Sequence, residues 1–325
     1  MGDLLTRAYA GGVLDAEGFI LDEVSEQLDR PGTYVWIDLC APSQAQLDRL
    51  AEELGLHELA IEDVLGSGQR PKLDYYESHL FLSARGLTMD VDGGSLDESE
   101  VDVFMDERWI VTVRESDRFP LAPVVKRCDS LPHLAGNGPP FILYALLDVL
   151  IDAYFAAVEA LDDYYDAISE RIFEEHPLDL SQQRDWFDMR RVMARFHRIV
   201  VPTREAVSAL LRREREVVPV DLYPYYQDVY DHLVRVNEAS DSLRDLVGTL
   251  VETNLSLRDY RQNLIVKKVG SWAAIITVPA VITGYFGMNV PFPGSGDGWG
   301  VVLATVMVVA SAVGLFFVFR RRDWL

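Results

Sequence analysis

Ten residues between positions 252 and 284 recur at alternating steps of four and three. They are Glu252, Ser256, Asp259, Asn263 and Val266, followed by Gly270, Ala273, Thr277, Ala280 and Gly284. A repeat of about 3.5 residues puts all ten on one face of a helix. The first half of the stripe offers carboxylate, hydroxyl and amide oxygens, the hard donors that suit hydrated Mg²⁺-like cations. The second half is small. Small residues commonly let membrane helices pack closely, but here they continue a polar stripe. Several copies around an axis would make a water-compatible wall. Nothing else in the chain suggests catalysis. The six histidines (57, 79, 133, 176, 197 and 232) form no close ligand pair. No nucleophile motif stands out, and no G-x-x-x-x-G-K-[ST] loop is present to couple ATP. The expectation is a protein that is not an enzyme and needs no cofactor.

The elements that carry this stripe must cross a bilayer. Residues 269–289 and 301–319 contain no charged side chain, and at 1.5 Å per residue each covers about 30 Å of hydrocarbon. Lys267 and Lys268 precede the first stretch, and Arg320, Arg321 and Arg322 follow the second. The loop between them, VPFPGSGDGW, has neither Lys nor Arg. The positive-inside rule therefore expects both termini in the cytoplasm and a short outer hairpin, in the plasma (inner) membrane. The first residues lack the basic start and apolar core of a signal peptide. Cys40 and Cys128 are too few and too far apart in sequence to suggest a disulfide or thiolate metal site.

A formal net charge of −22 repels phosphate backbones and excludes nucleic acid as a partner. It suits divalent cations, although solubility alone also accounts for it. Residues 34–39, 79–89, 101–105 and 109–113 read as strands. Residues 43–55 read as an amphipathic helix with Ser43 as N-cap and Gly55 at its end. Gly136 to Pro140 mark a boundary. Beyond it, residues 141–175 carry nine acids against one base, and residues 182–218 carry nine arginines against five acids. A turn at 176–181 would fold these into a hairpin paired by charge. No breaker follows Tyr225 until Pro279, so one helix should run over 225–289, roughly 97 Å. Its second stripe, from Val229, Leu233, Val236 and Ser240 to Leu250, Leu257 and Leu264, is mostly apolar and should pack against neighbouring helices, holding an oligomer.

The first apolar stretch closes with Tyr285-Phe286-Gly287-Met288-Asn289, followed by a short loop and a last helix with a basic tail. Gly and Asn end many helices for backbone reasons, but in this setting the sequence resembles the CorA family of magnesium transporters. HELAIEDVLGSGQRPKLDYYESHLFL (57–82) resembles the family's cytosolic block. PYYQDVYDHL (224–233) resembles the start of its stalk helix, and RRRDWL resembles its basic ending. The resemblance covers almost the whole chain. It implies an α+β membrane protein with a cytosolic α/β domain (1–140), a cytosolic helical hairpin and stalk helix (141–268) and a transmembrane domain (269–325). The stalk would be continuous with the first of two C-terminal transmembrane helices. It further implies a homopentamer in which helix 225–289 lines the pore.

In that resemblance Gly287, Met288 and Asn289 form the outer selectivity site. Asn263 is an inner polar position, Glu252 stands where the family often has Asp, and Lys267 and Lys268 form a basic collar. Asp228 falls on a regulatory metal site. Mg²⁺ would be both the transported ion and a regulatory ligand. Mg²⁺ gives up water reluctantly, so a ring of neutral Asn289 amides could hold the hydrated ion through its shell. The sequence departs from the family in its outer loop, where Asp297 is the only acid, and in Tyr285-Phe286. Zinc, cobalt or nickel transport, proton-coupled in the zinc case, is the alternative within the class. A membrane-anchored sensor that conducts nothing is the alternative outside it.

Overall fold

The computed structural model describes residues 4–66, 68–90, 95–170, 180–212, 217–288, 291 and 294–325, with side chains of 180–185 outside that description. Seven strands form one mixed sheet: β1 (Leu4–Ala10), β2 (Val13–Glu17), β3 (Thr33–Cys40), β4 (Lys72–Tyr75), β5 (Leu80–Asp90), β6 (Ser95–Met105) and β7 (Trp109–Arg114). Their order is β2-β1-β3-β7-β6-β5-β4. Only the central β3–β7 pair is parallel, with Ile37 opposite Val111. Every residue of β3 and β7 is buried, as expected of strands covered on both faces. Val35, Ile37 and Leu39 pack with Val24 of α1 (Val24–Leu28), Leu47 and Leu50 of α2 (Gln44–Leu54) and Ile61 of α3 (Glu58–Leu65). On the opposite face lies α5 (Pro139–Glu170), whose Tyr154 hydroxyl donates to the Arg85 carbonyl at 2.7 Å.

The four strands and the helix expected from sequence are present. Helix α2 closes as its residues dictate: Gln46 Oε1 accepts from the Ser43 backbone N–H at 2.9 Å, and Gly55 adopts φ 68°. Strands β1, β2 and β4 were not legible. β1 buries Thr6 and Arg7, whose polar groups are satisfied by the Phe19 carbonyl and by Glu17 and Asp129. Such a strand shows no simple apolar alternation.

Helix α4 (Ala122–Ser130) precedes α5, and α6 (Leu180–Leu211) follows it. The turn expected at 176–181 lies largely outside the described residues, with Leu180 already helical. Helices α5 and α6 meet through apolar and neutral groups, Tyr154 against Phe196 and near Thr203. The charge pairing expected across this hairpin is not found among the described residues; residues 171–179 and the side chains of 180–185 lie outside them. Among the described residues Asp148 and Asp152 of α5 pair with Arg127 of α4, and Arg195 of α6 pairs with Glu98 of β6.

Helix α7 runs unbroken from Tyr223 to Phe286, and α8 from Gly298 to Arg321. By internal packing the chain divides into two units, Met1–Gly248 and Thr249–Leu325. Among the described residues three helices are apolar and long enough to cross a membrane. In α5 67% of the apolar window is buried inside the protein, against 6% in α7 and 0% in α8. That contrast separates a core helix from two transmembrane ones. The apolar seam of α7 brings a correction. Val229, Leu233, Val236, Leu243 and Val247 are at most 4% exposed in the single chain. Tyr226 and His232 on the same helix touch Tyr144 and Phe155 of α5. This part of the seam is buried within the chain itself, beside Tyr144 and Phe155 of α5.

Candidate cation pathway

The ten residues of the 252–284 stripe all lie on α7, and every one is exposed in the single chain. The helix therefore has two distinct sides: a seam buried as far as Leu250, and a polar-then-small stripe that is exposed throughout. The glycines sharpen this. A Cβ built on Gly270 or Gly284 would meet no atom within 4 Å. Close packing inside the subunit is thus not what requires small residues there. Pro279 interrupts the backbone ladder within the span, and the Thr283 hydroxyl donates to its carbonyl at 2.7 Å. The carbonyl that the proline leaves without its helical donor is that of Ile275, four residues back. Lys267 and Lys268 are exposed at the start of the apolar stretch.

At the far end, the Gly287 N–H donates to the Thr283 carbonyl at 2.9 Å and the Met288 N–H to the Tyr285 carbonyl at 3.3 Å. The last turn tightens, and a Cβ on Gly287 would stand 3.2 Å from the Thr283 oxygen. Met288 is 55% exposed. Asn289 lies outside the described residues. In the following loop Gly294, at φ 92°, lies under the Trp299 ring, where a Cβ would come within 2.8 Å. Asp297 accepts from the Trp299 indole N–H at 3.3 Å and its carbonyl from the Gly300 N–H at 3.1 Å. The loop's only acid is thereby engaged in shaping the loop.

Asp228 lies on the exposed side of α7 with its side chain 63% exposed, 3.8 Å from His232 Nδ1 one turn on. The fold adds what the sequence did not assemble: Asp148, Asp152 and Arg127 stand near this pair. Burial raises the Asp148 carboxyl above its ordinary range, the Arg127 guanidinium opposes the rise, and the charges of Asp152 and Asp228 add to it. The i, i+4 spacing of Asp148 and Asp152 is visible in sequence, but their meeting with Arg127 depends on α4 packing on α5. Among the described residues no group of three or more His, Cys, Asp or Glu side chains is placed to hold a metal ion.

A family model described as CorA-like Mg2+ transporter protein matches residues 31–321. The cobalt/magnesium transport protein CorA of Thermotoga maritima is 27% identical over 298 residues, covering 90% of this chain and 84% of that protein. The zinc transport protein ZntB of Yersinia pseudotuberculosis is 21% identical over 279 residues, covering 83% and 81%. Among solved structures, the complete CorA magnesium transporter from Methanocaldococcus jannaschii superposes with a TM-score of 0.79 at 18% identity, over 99% of both chains. At that identity the superposition establishes the fold.

Proposed function

The chain belongs to the CorA-like Mg2+ transporter family of divalent-cation transporters, and from that premise we propose that copies of it assemble around α7 as a gated, passive path for Mg²⁺. The observation that carries the reading is the stripe from Glu252 to Gly284, exposed along its whole length, with open space around Gly270 and Gly284. A ring of such stripes supplies oxygen donors at one end and an unobstructed, uncharged wall through the bilayer. Five copies, as the sequence resemblance implies, would give a homopentamer with α8 outside. Asn289 would meet the hydrated ion at the outer mouth beside Gly287 and Met288, while Lys267 and Lys268 would ring the cytoplasmic end. Both termini would be cytoplasmic by the distribution of Lys and Arg.

No pump is required. Moving a double charge through 100 mV is worth about 4.6 kcal/mol, roughly a thousandfold accumulation. Regulation would fall to Asp228, with Mg²⁺ shared between neighbouring subunits, since the described residues of one chain gather no ligand set around it. Zinc is the second reading, favoured by the similarity to ZntB. Flux into proteoliposomes with Mg²⁺, Zn²⁺ and Co²⁺ in competition tests both. Mg²⁺ uptake that excess Zn²⁺ leaves unchanged supports the first reading. Zn²⁺ uptake driven by a proton gradient, without Mg²⁺ uptake, overturns it.

A further inference from the structure

His197 of α6 reaches α7 beside its buried seam. There His197 Nδ1 stands 3.5 Å from Asp241 Oδ1, and Asn237, one turn before Asp241, donates from Nδ2 to Asp241 Oδ2 at 3.1 Å. That bond fixes the amide, since turning it over would set its oxygen against the carboxylate. Asn237 is only 8% exposed. Three atoms linked through Asp241 are shut off from solvent and have no hydrogen-bond partner among the described residues: His197 Nδ1, Asp241 Oδ1 and Asn237 Oδ1. His197 and Asp241 are thus close without being aligned as donor and acceptor. The Arg244 guanidinium lies 3.4 Å from the same Asp241 oxygen, on a side chain 50% exposed, and makes no hydrogen bond to it either. Buried polar atoms are nearly always satisfied, so three adjacent exceptions call for an occupant.

Each of the three atoms can offer a lone pair. A single water has two hydrogens and would leave one of them bare, whereas a cation accepts from all three. Two ligands each roughly 2.0–2.1 Å from a tetrahedral ion lie about 3.3 Å apart, close to the spacing of His197 Nδ1 and Asp241 Oδ1. We propose that His197, Asp241 and Asn237 form a binding site for a divalent first-row transition cation such as Zn²⁺, Co²⁺ or Ni²⁺. The imidazole nitrogen selects this class, while Mg²⁺ favours oxygen ligands and keeps much of its water. Water would complete the coordination. The third ligand is an amide, which sets the site apart from a cluster of three His, Cys, Asp or Glu side chains, of which the described residues hold none. The site uses neither Asp228 nor any stripe residue, so it stands independently of the proposed pathway. A cation held there ties α6 to α7, and Arg244 competes with it for Asp241.

Co²⁺ is the probe, because its visible absorption responds to a nitrogen ligand. The full chain in detergent is held in millimolar Mg²⁺ to fill oxygen-only sites, then titrated with Co²⁺. The wild type should show a saturable component that Mg²⁺ does not displace. Even a partner outside the ligand set is worth about tenfold in metal affinity, so His197→Gln and Asp241→Asn should each weaken this component by at least that factor. His197→Gln should also return its spectrum towards that of Co²⁺ bound by oxygen alone. Arg244→Gln removes the competing charge, an exposed pair, and should strengthen binding about two- to fivefold. If the His197 variant does not fold, the Arg244 variant decides by its sign. Co²⁺ bound alike by the wild type, His197→Gln and Asp241→Asn overturns the proposal and leaves the gap to water. So does a component that Mg²⁺ displaces, or weaker binding in Arg244→Gln.

Discussion

Gly284 and Gly314 make a matched pair of tests for the pathway. Both lie in transmembrane helices, and a Cβ built on either meets no atom within 4 Å in the chain. Replacing either with Leu brings its Cβ against no atom of the chain and removes glycine's helix penalty, a gain of about 0.8 kcal/mol. At the Cβ the two positions are equally open within one subunit. They differ in one respect: Gly284 ends the α7 stripe, whereas Gly314 lies on α8. If the stripes converge on an axis, Gly284→Leu adds one leucine per copy to the narrowing wall and should cut flux at least tenfold, a barrier increase of about 1.4 kcal/mol. Gly314→Leu should leave flux within about twofold of wild type. Initial Mg²⁺ uptake rates in proteoliposomes, normalised to assembled protein, read both. Unchanged flux in Gly284→Leu, or equal loss in both variants, would refute the placement of the stripe on the pore axis.

Four further outcomes are expected. Asn289→Ala should abolish uptake with assembly intact, measured by flux and detergent-solution mass; normal flux would remove the amide ring from the mechanism. Leu233→Ala, at a seam position 0% exposed, should destabilise the N-terminal unit by about 2–5 kcal/mol without changing subunit number, read by thermal melting and mass. Asp228→Lys should weaken Mg²⁺-dependent protection from protease, and an unaltered protection curve would place sensing elsewhere. Asp102 is 3% exposed, and burial pushes its carboxyl up to about 7. Its folded pKa exceeds the unfolded one, so the native state binds the extra proton and stability falls as pH rises from about 4 to about 7. Asp102→Asn should therefore raise the melting temperature at pH 8 and leave it nearly unchanged at pH 4; the opposite order contradicts the sign.

What the sequence made legible follows from what each element depends on. Helix α2 declares itself because Ser43, Gln46 and Gly55 act within a few residues of one another. The spans declare themselves because a bilayer requires uncharged length, whatever the neighbours. β1 hides because its Arg7 is made acceptable by Asp129, which is distant in sequence and brought close only by α4. The acids of α5 were visible, but not their partner. Arg127 lies before the apparent boundary at 136–140, and a reading that divides the chain there does not pair it with Asp148. The stripe residues from Glu252 to Gly284 were found by period alone, while Asn289, their expected terminus, rests on its motif.

The seam shows why a heptad pattern does not by itself identify its partner. Val229, Leu233, Val236, Leu243, Val247 and Leu250 are buried, whereas Asn254, Leu257, Arg261 and Leu264, in the same register, are only half-buried. The pattern continues, but the chain's own cover stops near Leu250. An apolar repeat left half-covered, on the helix that also bears an exposed polar stripe, is satisfied when further copies pack beside it with the stripe turned inward. Contacts between copies are therefore expected to begin below Leu250. Leu257→Ala should weaken assembly while Leu233→Ala should weaken the fold. Both energies come from the same kind of buried methyl groups, and only the partner differs.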